Sequence, residues 1–120
     1  MSTHAIISIE GKTHFYLYKH FDGYPESTLP WLKEFNKKFK QPGKIFSEFK
    51  AAQLVRSTIS YCAKYILDKD DTNGWAIYTT KECPDVAHWR YRLMNDGTVK
   101  VINVVEQKTI NEGISFLESL

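Results

Sequence analysis

Between Tyr16 and Pro25 the chain reads Tyr-Leu-Tyr-Lys-His-Phe-Asp-Gly-Tyr-Pro, its densest cluster of side chains able to do chemistry. An imidazole changes charge near neutral pH, and a carboxylate two residues away can orient it. His20 and Asp22 are therefore candidates for general acid–base catalysis in a small hydrolase or nucleotide-processing enzyme. No nucleophile spacing accompanies them, and Asp22 also serves as the starter of the Asp22-Gly23-Tyr24-Pro25 turn. The same segment offers a second chemistry. A strand through it sets His14, Tyr16, Tyr18 and His20 on one face and Phe15, Leu17 and Phe21 on the other. Phe15 and Leu17 then face the core. The Tyr and His rings, apolar in body and hydrogen-bonding at the tip, form either a recognition surface or an ordinary core rim. Tyr18, Lys19, His20 and Tyr24 are the binding candidates of this segment.

A second group lies near the C-terminal end. Trp89, Tyr91 and Leu93 alternate with His88, Arg90 and Arg92, so one face of that strand is buried and the other basic. If the following turn sets Lys100 opposite Arg92, their repulsion would be relieved by a carboxylate or an anionic partner. Arg90 and Arg92, with Lys100, can then track a phosphate backbone, although exposed cations need no partner.

Other site chemistries lack their spacing. Six strand residues put His14 and His20 about 20 Å apart, too far for one metal ion. His20 and Asp22 can converge, but a third ligand from His4, His88 or a cysteine has to be supplied by the fold, so neither a metal nor a cofactor is expected. Cys62 and Cys83 match no paired-cysteine motif and read as reduced thiols, with Cys62 a small core residue. No Gly-rich phosphate loop, Gly-x-Ser-x-Gly or His-Glu-x-x-His is present.

The elements that must hold these residues are legible from period and punctuation. Thr3 to Glu10 and Thr13 to Phe21 form a hairpin about Gly11-Lys12. A first helix, capped by Ser27 or Thr28 with Pro30 in its first turn, carries Trp31, Leu32, Phe35 and Phe39 to about Lys40, and Pro42-Gly43 breaks it. A long central helix follows, with a buried stripe of Ile45, Phe49, Ala52, Val55, Ile59, Cys62 and Ile66. Beside it runs a second row of Leu54, Thr58, Tyr61 and Tyr65, while Lys50, Ser57, Ser60 and Lys64 mark the wet side. Asp70 to Gly74 ends that helix, and Trp75 to Thr80 is the third strand. His88 to Met94 and Thr98 to Val105 flank Asn95-Asp96-Gly97, a type I turn with a Gly bulge. Thr109 to Glu112 is a capping box for a closing helix through Ile110, Ile114 and Leu117. The reading is one α+β domain over residues 1–120, order ββααβββα, with a mainly antiparallel sheet of about five strands and helices on one face. Its other face is left wet or available to a partner.

Composition narrows the setting without naming a partner. The chain has 120 residues, 42% hydrophobic and 25% charged, which suits one globular domain with its own core. The formal net charge of +2 is too small to imply a nucleic-acid or membrane partner. Residues 1–69 nonetheless carry 11 Lys plus Arg against 6 Asp plus Glu, and residues 70–120 carry 5 against 8. No signal-peptide pattern or membrane-length apolar run is seen, so a cytoplasmic location is expected.

With Tyr18, His20, Asp22, Gly23, Tyr24 and Pro25, the chain resembles small uncharacterised phage, prophage and mobile-element proteins that share a Tyr-x-His-x-Asp-Gly-Tyr-Pro signature. The likeness covers about the first 35 residues. It implies an accessory role and no particular reaction. The expectation is a non-enzymatic binding module for a macromolecular partner, protein or nucleic acid, using Tyr18, Lys19, His20 and Tyr24 on one surface and Arg90 and Arg92 on another. A small hydrolase built on His20 and Asp22 is the alternative, and a homodimer covering the exposed sheet face is a third possibility.

Overall fold

The computed structural model describes residues 3–40, 47–65 and 74–107. Its elements are β1 (Ala5–Ile9), β2 (Tyr16–Lys19), α1 (Pro25–Lys38), α2 (Ser47–Tyr65), β3 (Trp75–Tyr78), β4 (Trp89–Leu93) and β5 (Val99–Asn103). Asn103 Oδ1 accepts from the Glu106 amide at 3.0 Å and so caps a helical turn at residues 104–107. The architecture is α+β, ordered ββααβββα, with a five-stranded sheet that is mostly antiparallel. The closing helix expected between Thr109 and Leu117 lies outside the described residues. So do Ile45, Ile66 and the 70–73 part of the expected turn. Among the described residues no helix is long and apolar enough to cross a membrane.

Across the sheet the strands run β3-β2-β1-β4-β5, and the central β1–β4 pair is parallel, with Ala5 opposite Trp89 and Ile9 opposite Leu93. Both expected hairpins form, the first with a longer loop than a two-residue Gly11-Lys12 turn, since β2 starts at Tyr16 and Ala5 pairs with Lys19. In the second, Gly97 takes φ +95° and its amide bonds Met94 O at 3.1 Å, the bulged turn that Asn95-Asp96-Gly97 requires. The Asp96 carboxylate accepts from both the amide and the hydroxyl of Thr98, which holds its pKa below the ordinary value. Hairpins join neighbours, but β3 and β4 are parallel with two strands between them. Residues 79–88 must therefore cross the sheet.

Alternation divides the sheet cleanly. Ala5, Ile7, Ile9, Phe15, Leu17, Tyr91 and Leu93 join Trp31, Leu32 and Phe35 of α1 and Ala51, Leu54 and Tyr61 of α2 in one core. Each fully buried Leu or Ile contributes about 1.5–3 kcal/mol. α1 begins earlier than expected, because Pro25 occupies the position where a missing N–H costs nothing. Tyr24 sits at its N-cap without a side-chain bond, and Pro30 falls inside the helix. The proposed cap residues work otherwise: Thr28 Oγ1 donates to Asp22 O at 2.9 Å, and Ser27 Oγ meets Tyr61 OH at 2.7 Å.

The inner face of α2 is not the stripe through Phe49, Ala52 and Ile59, since Phe49 is 63% and Ile59 73% exposed while Lys50 is 0%. The stripe facing inward is Lys50, Leu54, Ser57 and Tyr61. It is selected by polar locks to α1: Trp31 Nε1 donates to Ser57 Oγ at 3.0 Å, and the Trp31 and Tyr61 rings lie 4.8 Å apart. His14 is not on β2, which starts at Tyr16; it holds φ +60° in the loop before it.

Candidate functional site

Opposite the helices, the outward positions of the five strands form a grid of three rows. Register places Tyr78, Tyr16, Ser8, Arg92 and Lys100 in the first row, from β3 across to β5. Ala76, Tyr18, Ile6, Arg90 and Ile102 make the second. One step beyond the paired registers, His20, His4 and His88 stand side by side in the third: the His4 and His20 rings stack, and His88 N bonds His4 O at 3.0 Å. Neighbouring positions along a row are about 5 Å apart.

This face is not simply wet. The crossing segment 79–88 lies on it: Tyr16 OH donates to Lys81 O at 3.2 Å, and Arg90 lies close enough to Cys83 to act on its thiol. Burial raises the Cys83 thiol pKa, against a smaller lowering by the Arg90 charge. Ile6, which points away from the helices between Tyr18 and Arg90, is only 1% exposed. What remains open is a ring-rich corner on β3, β2 and β1 and a basic margin on β4 and β5.

The ring corner is continuous. His4 and His20 stack with centroids 4.3 Å apart, His4 and His88 are 5.1 Å apart, His4 and Tyr18 5.7 Å, and Tyr78 meets Tyr18 edge-on at 5.9 Å. Hydrogen bonds set the ring orientations. His4 Nδ1 lies 2.7 Å from the His20 carbonyl, so it carries the proton and leaves a lone pair on Nε2. His88 Nδ1 accepts from the His4 amide at 3.0 Å, so its own proton sits on Nε2. Tyr18 OH and His20 Nδ1 are 2.7 Å apart. Burial, reinforced by the neighbouring Tyr78 phenol, raises the Tyr18 pKa.

The basic margin is built from β4 and β5. Arg92 and Lys100 are directly opposite, as the turn length led us to expect, and both are exposed. Among the described residues no carboxylate forms an ion pair with either, so the repulsion between them stands. Arg90 is half-buried, and its Nε is shielded from solvent without a hydrogen-bond partner.

The remaining candidates are placed elsewhere. Lys19 is 2% exposed and points to the helix side, away from Tyr18 and His20, so it cannot share their surface. Two residues beyond Leu17 and opposite Ala5, it turns inward with them, where Nζ donates to Phe21 O and lies 5.0 Å from the Tyr61 ring and 5.6 Å from that of Trp75. Tyr24 is exposed at the start of α1, where the Asp22 carboxylate faces its hydroxyl and raises its pKa. His20 and Asp22 therefore do not form a dyad: the imidazole bonds Tyr18, and the carboxylate faces Tyr24 from a residue at φ +52°. Among the described residues no three His, Cys, Asp or Glu side chains converge to hold a metal ion.

Sequence reasoning did not gather His4, His88 and Tyr78 into the site. His4 opposite His20 follows from the first hairpin once its register is known, whereas His88 reaches His4 only through the parallel β1–β4 pairing, which leaves no local signal. Comparison with protein-family models, curated proteins and solved structures gave no match to this chain.

Proposed function

We propose that this protein is a non-enzymatic accessory module that binds single-stranded nucleic acid across the outer face of its sheet. The observation that carries the proposal is the placing of unneutralised Arg92 and Lys100 on the same face as the contiguous rings of Tyr18, Tyr78, His4, His20 and His88. Unpaired bases stack on such rings regardless of sequence, while cations beside them hold the backbone. Duplex DNA hides its base faces, and this sheet presents no helix to a groove. An accessory role also accords with the likeness of the Tyr18 to Pro25 segment to phage and mobile-element proteins.

The test is fluorescence anisotropy with a labelled oligothymidylate at two salt concentrations. Binding should weaken with salt, with a slope reduced by about 0.7 per phosphate contact removed in Arg92→Ala and Lys100→Ala. Tyr18→Ala should lose about 1–3 kcal/mol of affinity with little change of slope. Affinity indifferent to salt and to all three substitutions would reject nucleic acid and leave a protein as the partner.

A further inference from the structure

We infer that the imidazole row His20, His4 and His88 is a proton-coupled phosphate subsite, distinct in behaviour from the permanently charged Arg92–Lys100 pair. The inference rests on the nucleic-acid reading of this face and names how one part of it responds to its ligand.

The contacts within the row suit neutral rings. His4 and His20 stack 4.3 Å apart, a contact that two like charges would oppose. His88 cannot take a proton on Nδ1 without losing the His4 amide it accepts from at 3.0 Å. The groups facing the row are Tyr18 and Phe21 from the β2 strand and its end, and Arg90 two residues along β4. Among the described residues no carboxylate forms an ion pair with any of the three rings. Among the described residues the row therefore has no carboxylate paired with it, and a proton it gains is matched by an external anion.

The available nitrogen atoms suit that anion. With His4 Nδ1 donating to the His20 carbonyl, the proton-accepting atom is Nε2, away from its backbone partner. His20 is held through Nδ1 by Tyr18 at 2.7 Å, so its Nε2 is the ring nitrogen that makes no bond to Tyr18. His88 already presents an Nε2–H donor while neutral. Protonation of His4 or His20 thus converts the row into a set of Nε2–H donors with net positive charge, which a phosphate oxygen accepts. By linkage, phosphate binding promotes proton uptake and acid promotes phosphate binding.

The experiment measures oligothymidylate affinity from pH 8 to pH 5.5 at constant ionic strength, in the full chain and in the His4→Gln/His20→Gln variant. Neither thymine nor a phosphodiester titrates in that range, so any slope belongs to the protein. Thermal melts confirm that both chains are folded at each pH. The parent should bind about tenfold tighter at pH 5.5, the effect of one pK unit of coupling, and the variant should show a flat profile. Arg92→Gln should lower affinity at every pH and keep the slope. A second arm adds sulfate, a tetrahedral anion that does not titrate here, and follows the three His ring carbons by NMR at pH 5.5 and pH 8. Oligonucleotide binding with equal pH slopes in parent and variant overturns the subsite and leaves the nucleic-acid reading standing. Absence of oligonucleotide binding at any pH, with sulfate shifting the rings only at pH 5.5, keeps a phosphate subsite and discards nucleic acid. Absence of both responses overturns both.

Discussion

Replacing Gly23 by alanine tests the link between the Asp22-Gly23-Tyr24-Pro25 turn and the imidazole row. A Cβ at this position would stand 2.8 Å from Thr3 O, His4 C and Ala5 N. All three are backbone atoms, so no rotamer change can relieve the contact, and the turn must draw away from the start of β1 by about half an ångström. That movement strains the two bonds that seat the turn, Gly23 N to Thr3 O at 2.8 Å and Tyr91 OH to Gly23 O at 2.6 Å. Both Gly23 and Tyr91 are buried, so water does not replace the lost partners. Two weakened bonds cost about 1 kcal/mol each or more, and overpacking adds about 1–3 kcal/mol, giving about 3–5 kcal/mol in all. Small domains are stable by only about 5–15 kcal/mol, and each kcal/mol moves the melting temperature of a chain this size by about 4 °C. Circular dichroism melts and urea titrations should therefore show a fall of about 12–20 °C for Gly23→Ala. Gly11→Ala is the control: φ there is +83° with nothing within 4 Å, so only the left-handed penalty of about 1–2 kcal/mol applies. A Gly23→Ala chain melting no lower than Gly11→Ala would refute the reasoning.

Three further outcomes follow from single contacts. Burial raises the Tyr91 phenol far above its ordinary pKa, so the unfolded chain ionises first. Stability should be full below about pH 10 and fall above it by up to about 1.4 kcal/mol per pH unit from this group. Tyr91→Phe should cost about 1–3 kcal/mol at neutral pH and flatten that alkaline loss; an unchanged slope between pH 9 and 11 in urea titrations would count against it. Lys50 has a fully buried amine without a hydrogen-bond partner, and its burial lowers its pKa against a smaller opposing pull from Glu10. Lys50→Met should be neutral to about 1 kcal/mol stabilising in urea, and a clear loss would mean that the Glu10 attraction dominates. Asn36 Nδ2 holds Met94 O at 2.9 Å and Thr98 O at 2.7 Å, carbonyls that also accept from Gly97 N and Met94 N. Because neither is left bare, Asn36→Ala should cost only about 2 kcal/mol, with faster amide exchange confined to the β4–β5 turn; protection lost across the whole sheet would contradict this.

What was legible in the chain was whatever local rules decide. Gly97 sits at positive φ because the bulged turn needs it there, and the same turn length sets Arg92 against Lys100. The period of two put Leu17 and Tyr91 inside with Arg92 outside. The α2 stripe was misjudged because periodicity counts apolar residues, whereas the inner face is chosen by what α1 offers. Trp31 and Ser27 present polar partners, and Ser57 and Tyr61 answer them better than Phe49 and Ile59 do. Lys19 was misjudged by its charge alone. It continues the inward alternation of Leu17, and two aromatic rings accept its amine.

The site itself was half visible, for a reason that register makes plain. A two-residue turn at Gly11-Lys12 pairs Glu10 with Thr13 and would bring Lys19 opposite His4. The longer loop observed brings His20 there, with Ala5 opposite Lys19. A shift of one residue decides whether a lysine or an imidazole stands beside His4, because side chains alternate between faces with period two. The third imidazole depends on a pairing between residues 84 apart, for which β1 and β4 carry matching apolar alternation but nothing that names each other. Strand pairing of that separation is settled by the whole core, with Ile7 and Tyr91 meeting under the helices. The imidazole row is thus a by-product of how the opposite face packs: any change that slips β4 along β1 by two residues keeps the core pattern yet dissolves the site.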